Sequence, residues 1–323
     1  MCKNQINEDL VKLYFEDNAS QWSRDGYKNY DYNYPVGFHR RRVVKKIISD
    51  KFNNPILVTD LGCGAGDVSI ALAKNGHRVI GVDQSSNMIS LCKKNAVRDC
   101  LETEINNLRF VRSDVLNYSS EEKSDVVIAM GLIGYINNEN ELFQTARELL
   151  KPGGIFIISC RNKLFNFFNG SKYFSDEFLN KDNKSLVREL CDIESSIPSN
   201  SVLDFLKELS IASSDINKIF TTKKEIDISI NETNKDENYD FSFSCDDNKQ
   251  HSPKELDNIA ESENFEKLSS FGIHPHILPA NLNKHLPPGV FNKLSDSLCV
   301  LESLPISLKW SSVFISVYKI SED

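Results

Sequence analysis

The residues best suited to chemistry lie in one run, Val58-Thr59-Asp60-Leu61-Gly62-Cys63-Gly64-Ala65-Gly66-Asp67-Val68-Ser69. Glycine admits left-handed backbone and lets the main chain approach a ligand with no Cβ in the way. Here three glycines alternate with small residues directly after an acid. A helix beginning near Asp67 adds N–H groups and a partial positive charge. A second acid, Asp83, ends another apolar run. A carboxylate there can accept two hydrogen bonds from a ribose diol. Such a set suits a nucleotide-like ligand.

The elements that must hold these residues follow from the pattern around them. Ile56 to Val58 reads as a buried strand, and the helix from Asp67 stops at Asn75-Gly76. Arg78 to Asp83 is a second strand, and a helix begins over Gln84 to Ile89. Arg109 to Arg112 and Ser124 to Gly131 read as the third and fourth strands, with Asp125 a structural acid. Leu142 to Leu150 reads as a helix, Lys151-Pro152-Gly153-Gly154 as a turn, and Ile155 to Ser159 as the fifth strand. Ahead of the first strand lie an amphipathic helix over residues 5–22 and a loop carrying Tyr27, Tyr30, Tyr32 and Tyr34. A helix from Val36 to Ser49 follows. The tyrosines suit either a substrate mouth that stacks on a cation or plain packing.

The glycines fall as G-x-G-x-G, not the G-x-G-x-x-G of dinucleotide folds, which disfavours a nicotinamide dehydrogenase. Asp60 through Gly66 resembles the first motif of the class I S-adenosylmethionine (SAM)-dependent methyltransferases, small-molecule branch. Further strings resemble that family in the same order. They are Tyr14 to Trp22 as an entry lid, Asp83-Gln84 with Met88, Ser113-Asp114-Val115, and Leu149 to Gly154. The resemblance implies an α/β fold with a seven-stranded Rossmann-like sheet, its last strand antiparallel and helices on both faces. It implies SAM as cofactor, held by Asp60, Gly62, Cys63, Gly64, Gly66, Asp83, Gln84, Met88, Ser113, Asp114, Val115 and Met130. On that reading Asp60 faces the ammonium, directly or through water, and the glycine-turn amides face the carboxylate. Ribose lies at Asp83 and adenine at Met88 and Asp114. Met88 is equally readable as core. The end of the fourth strand, Met130 to Tyr135, then lies beside the transferred methyl.

The chain divides into lid helices (1–50), a SAM-binding core (51–160), an α+β insertion serving as substrate cap (161–250) and a C-terminal completion of the sheet (251–323). The insertion reads as short helices near 164–168, 186–191 and 202–209, then a hairpin over 221–230 and 239–244. A structural appendage or a dimer contact is the other reading of it. Ser252-Pro253 opens a helix. Phe265 to Ile273 and Trp310 to Ile320 are the last strands, with a helix near Phe291 to Leu304 between them. His274, His276 and His285 cluster after the sixth strand.

A hydroxyl acceptor benefits from a general base, whereas an amine need only be neutral. His39 and His276 are candidate bases, and Tyr135 a candidate for orienting the acceptor. No metal site is assembled from the sequence. The expected activity is methyl transfer to a small molecule, at oxygen first. An amine of a sugar, amino acid or natural product is the alternative, and a non-catalytic binding protein the other. The net charge of −8 over 323 residues argues against broad nucleic-acid binding. The run His39 to Arg42 with Lys45-Lys46 reads as a solvated helix face or a local basic patch. Eight scattered cysteines without a C-x-x-C pair point to reduced thiols and a cytoplasmic protein. No apolar run approaches the ~20 residues of a membrane span. A homodimer is compatible with all of this.

Overall fold

Apolar runs with no polar face become strands buried on both sides, and such strands run parallel when helices connect them. The computed structural model describes residues 8–27, 36–169, 183–196, 198–222, 249–278 and 286–321. In chain order the helices and strands are α1 Glu8–Tyr27, α2 Val36–Lys51, β1 Leu57–Leu61, α3 Asp67–Ala73, β2 Arg78–Asp83, α4 Ser86–Asp99, α5 Glu102–Ile105, β3 Leu108–Arg112 and β4 Ser124–Met130. Then come α6 Glu139–Leu149, β5 Leu150–Arg161, α7 Lys163–Phe168, α8 Lys184–Glu194, α9 Ser199–Thr222, α10 Pro253–Ser262, β6 Phe265–Pro275, α11 Pro288–Leu298, α12 Ser307–Trp310 and β7 Ser311–Ile320.

The strands form one sheet in the order β3-β2-β1-β4-β5-β7-β6. β1 to β5 are parallel, and β7 runs antiparallel between β5 and β6. This is the expected seven-stranded methyltransferase sheet. The strand order reverses between β1 and β4, so a crevice opens past their C-terminal ends, where open α/β sheets bind ligands. Asp60, Asp83 and Met130 all stand at that edge.

Alternation along the strands splits the core into two layers. Val127, Ala129, Phe156, Ile158, Phe314 and Tyr318 face one side, and Val126, Ile128, Ile157, Ile315 and Val317 the other, against α2 and α3. Phe143 of α6 meets Phe156 edge-on at 5.2 Å and lies 5.8 Å from Phe265. Each such aromatic pair contributes about 0.5–1.5 kcal/mol beyond its buried area. α10 starts as its sequence dictates. Ser252 Oγ accepts from the Glu255 amide, and Glu255 accepts from the Ser252 amide, with Pro253 in the first turn.

Several elements differ from the sequence expectation. Lys151 to Gly154 is a bulge inside β5, not a turn before it. Ser124 pairs with Leu150, and the register then jumps so that Val126 pairs with Ile155. Gly153 takes a left-handed φ of 72° that permits the jump. The helix expected over 202–209 is the middle of the 24-residue α9. Phe205, Leu209, Ala212 and Ile216 recur at helical spacing on its inward side, packed on α11. Thr221 and Thr222 end this helix instead of starting a strand. The rest of the expected hairpin lies outside the described residues, as do Tyr30, Tyr32, Tyr34 and His285. The basic run of α2 is only partly a solvated face. Arg42 and Lys46 reach Glu302 at 2.5 and 3.0 Å, and that carboxylate is buried.

The end of β5 is fixed to the C-terminal part by Asn162, which is fully buried. Its Nδ2 donates to the Leu308 and Ser311 carbonyls at 2.6 and 2.8 Å, and its Oδ1 accepts from the Leu164 and Phe165 amides. Removing that side chain strands four buried main-chain groups. Asn162→Ala is therefore expected to cost about 3 kcal/mol in urea unfolding; a loss under about 1 kcal/mol would mean water replaces the amide.

Candidate functional site

The turn between β1 and α3 takes its shape from its glycines, with φ of 68° at Gly62, 54° at Gly64 and 82° at Gly66. Side chains larger than hydrogen are strained in that region. A Cβ at Gly62 would also stand 3.0 Å from Leu132, just past β4. The turn's amides, however, are engaged within the protein. Gly62 and Cys63 donate to the Val82 carbonyl, Gly66 to the Cys63 carbonyl, and Gly64 to Asp83. These four amides, expected to face an anionic ligand group, already have acceptors within the protein. The glycines provide left-handed backbone and room, not donors. Cys63 itself is buried, its sulfur 3.9 Å from that of Cys92 on α4.

Two carboxylates lie beside this turn, with no ion pair to either among the described residues. Asp60 is 2% exposed and points into the first turn of α3, where Ser69 Oγ donates to it at 2.6 Å. Burial pushes its carboxyl up to about 7, against the Ser69 bonds and with the help of nearby Asp83. Asp83 accepts from the Gly64 and Ser85 amides, both at 2.9 Å, one on each oxygen. Burial raises it to about 6 despite those bonds, and the charge of Glu16 adds to the rise. The Gln84 amide also bonds this carboxylate, which leaves about one lone pair of Asp83 for a ligand hydroxyl.

The other expected residues are spread around this edge. Gln84 follows Asp83, and its carbonyl accepts from Arg112. Ser113 donates its amide to the Asp83 carbonyl, so it stands at the same edge. Asp114 is exposed and accepts from the Leu116 amide and from Asn117 Nδ2 at 2.7 Å. Val115 and Met130 are buried in the two core layers. Met88 is 1% exposed and packs with Ala19, Ala65, Phe15 and Leu91 beneath α1.

Helix α1 roofs the edge. Glu16 accepts from Ser85 Oγ, Ser86 Oγ and the Asn87 amide at the start of α4. Ser23 Oγ donates to Asp67 at 3.1 Å. Phe15 meets Tyr135 edge-on at 5.2 Å, so the roof reaches the loop after β4. Arg40 of α2 enters from the opposite side. Its Nη1 lies 2.7 Å from where a Cβ of Gly131 would be, a space left by that residue's φ of 74°. The Gly131 amide is anchored on Ser159 Oγ at 2.7 Å. Sequence reasoning missed Arg40; its only signal was the basic run of α2.

Of the histidine candidates, His39 is buried and His276 half-buried, each against other rings. His39 stacks on His274 at 4.6 Å, and His276 lies 4.9 Å from Phe165 and 5.0 Å from Phe291. Burial and the neighbouring imidazole hold His39 at about 2 and His276 at about 3. Both are therefore neutral and weakly basic. His274 has its Nε2 2.9 Å from Asn292 Oδ1 and a left-handed φ of 52°. His39, Asp296 and Cys299 bring their ligand atoms within 4.8 Å of one another. Arg42 acts electrostatically on both His39 and Cys299, so a guanidinium already supplies positive charge there. Sequence reasoning also missed His251. Burial opposes its charge, but Cys160 at 3.6 Å and Glu139 at 3.4 Å raise it to about 9.

A buried acid with a raised pKa stabilises the fold when protonated. That contribution is complete below its unfolded value near 4 and is lost as pH rises through the folded value. At pH 8 Asp60 and Asp83 are both ionised, and the fold carries the cost. Asp60→Asn keeps an oxygen for Ser69 and is expected to raise stability at pH 8 by at least about 1 kcal/mol. The gain should vanish by pH 4. Unfolding curves of both proteins across that range decide it; a gain that does not vary with pH would contradict the assignment.

A family model described as a methyltransferase domain matches residues 54–264, well over half of the chain. Among curated proteins, the ubiquinone biosynthesis O-methyltransferase of Pasteurella multocida is 28% identical over 112 residues, 33% of this chain and 46% of that protein. That of Haemophilus ducreyi is 31% identical over 113 residues, 33% of this chain and 45% of that protein. The chain thus spans about half the length of the curated relatives it matches. Among solved structures, magnesium protoporphyrin IX methyltransferase from Synechocystis PCC 6803 covers 97% of this chain and 99% of its own, with a TM-score of 0.52 at 14% identity. That likeness concerns the fold. With the family match spanning the sheet from β1 to α10 and the glycine turn in place, the chain belongs to the class I S-adenosylmethionine-dependent methyltransferase family.

Proposed function

We propose that this protein transfers a methyl group from SAM to an oxygen of a small-molecule acceptor. The observation that carries the reading is a pair of carboxylates, buried Asp60 and half-buried Asp83, beside a left-handed glycine turn. Both are raised by burial and by like charge, and among the described residues neither has an ion pair. Such a place favours a ligand with positive charge and a hydroxyl pair, and SAM has both. When bound, SAM supplies a methyl group activated on a sulfonium.

The protein's own residues then bind, orient and exclude water. Asp83 would accept from the ribose hydroxyls, and Asp60 would act on the ammonium through its field, since its oxygens face α3. Asp114 would accept from the adenine amine. Arg40 would face the carboxylate end, the part that the turn amides do not serve. α1 would cover the cofactor, with Phe15 and Tyr135 closing the side toward the acceptor. Tyr135 would orient that acceptor. Oxygen is favoured over nitrogen by the relatives named O-methyltransferases. A small molecule is favoured over nucleic acid by the acidic chain.

Calorimetric titration with SAM tests the cofactor. Binding in the micromolar range is expected, and affinity should rise with pH between about 5 and 8 as Asp60 and Asp83 lose their protons. Asp83→Ala and Arg40→Ala should each weaken it by at least about tenfold. Asp83→Ala should do so with the fold intact by circular dichroism. No binding at high micromolar SAM would refute the enzyme reading. Turnover of labelled SAM with panels of phenols and amines then separates oxygen from nitrogen.

A further inference from the structure

The cofactor edge is joined to its roof by one continuous hydrogen-bonded chain. Glu16 of α1 accepts from Ser85 Oγ. Ser85 caps α4, its Oγ accepting from the Met88 amide at 3.1 Å. The Ser85 amide donates to one oxygen of Asp83, and Gly64 donates to the other. Glu16 also takes Ser86 Oγ and the Asn87 amide, and Asn87 Nδ2 donates back to the Glu16 carbonyl at 2.8 Å. Thus a carboxylate on the roof sits at the N-terminus of the helix that follows Asp83. A helix N-terminus favours negative charge, and bonds to a charged group are stronger than neutral ones.

We propose that Glu16 is a positioning residue that latches α1 over the cofactor and sets the charge of Asp83. The inference rests on the SAM reading of the site. Through Ser85, Glu16 fixes the backbone that holds Asp83, and through α1 it holds the roof shut. Its negative charge, one residue away from Asp83 through Ser85, also adds to the rise of that carboxyl. The other titratable and charged groups about Asp83 are Asp60 on β1, the Cys63 thiol in the turn and Arg112, its register partner on β3. The charge of Glu16 opposes ionisation of Asp83. Removing the charge of Glu16 therefore makes Asp83 ionise at lower pH, while removing its bonds loosens the roof. A contact that served only to pack α1 would do the second and not the first.

The test uses S-adenosylhomocysteine and SAM as probes on the full chain, with Glu16→Gln and Ser86→Ala. Ser86→Ala deletes one bond and keeps the charge. Ligand-free hydrogen exchange of α1 amides should speed up about tenfold in Glu16→Gln and less in Ser86→Ala, while β1 and β4 amides are unchanged. In stopped flow, dissociation of S-adenosylhomocysteine should quicken by about tenfold or more in Glu16→Gln. The pH midpoint of SAM affinity should move to lower pH in Glu16→Gln and stay in place in Ser86→Ala. Unaltered exchange and an unaltered dissociation rate in Glu16→Gln would overturn the latch; an unmoved midpoint would overturn the charge role. If the unsubstituted protein binds neither probe, the SAM reading fails, and hydrogen exchange alone still judges the latch.

Discussion

The site depends on one carboxylate held between two amides. Asp83 is gripped by Gly64 from the turn after β1 and by Ser85 from the start of α4. The Gly64 grip depends on the left-handed backbone at Gly62, Gly64 and Gly66, which folds the turn back over β2, whereas the Ser85 grip is local to the β2–α4 connection. The Gly62 and Cys63 amides close that fold on the Val82 carbonyl. So the same geometry that brings the turn over β2 uses up its donors. The glycines and Asp83 form one unit, in which backbone conformation sets the place of a charge.

That unit carries an electrostatic tension. Asp60 and Asp83 repel each other and lie where water is scarce. A fold optimised only for stability would place an amide or an apolar group at Asp60. Keeping a carboxylate there costs stability at neutral pH and leaves a negative potential at the crevice. The tension is relieved by a cationic ligand, so the cost in the free protein becomes affinity in the bound one.

Much of this was legible in the sequence. The strand–turn–helix of β1 and α3, the acid ending β2 and the inserted antiparallel β7 all follow from local patterns of apolar runs, glycines and acids. What stayed hidden depends on distant residues meeting. The amide donors of the turn look free in the sequence, and only the closeness of Val82 and Asp83 shows that they are engaged. His39 and His276 carry the residue type of a general base. Only the packing of α2 on β6 and of His276 on Phe291 shows a buried and a half-buried ring, both neutral. Glu16 and Arg40 sit in helices whose charge pattern resembles any solvent face. Their partners lie 69 and 91 positions away, at Ser85 and Gly131. The bulge in β5 was misread because Pro and Gly signal turns, and a strand that continues past them needs a neighbour to pair with.

The loop after β4 is where these distant meetings accumulate. Leu132 fills the space over Gly62, Arg40 fills the space over Gly131, and Tyr135 receives Phe15 of the roof. Lys249 donates its amide to the Gly134 carbonyl and its ammonium to the Asn137 carbonyl, and pairs with Glu139 at 2.9 Å. His251 reaches the same Glu139, whose carboxyl is brought down to about 2 by His251 and Lys249 against its burial. Residues 131–139 thus touch the roof, the glycine turn, α2 and the segment that leads into α10. A loop held from four sides has little freedom of its own, so its position reports on all four. Substitutions in the segment around Lys249, far from Asp83 in sequence, should therefore alter the surroundings of Tyr135 first and those of Asp83 last, because Asp83 is held by β2 and α4 and not by this loop.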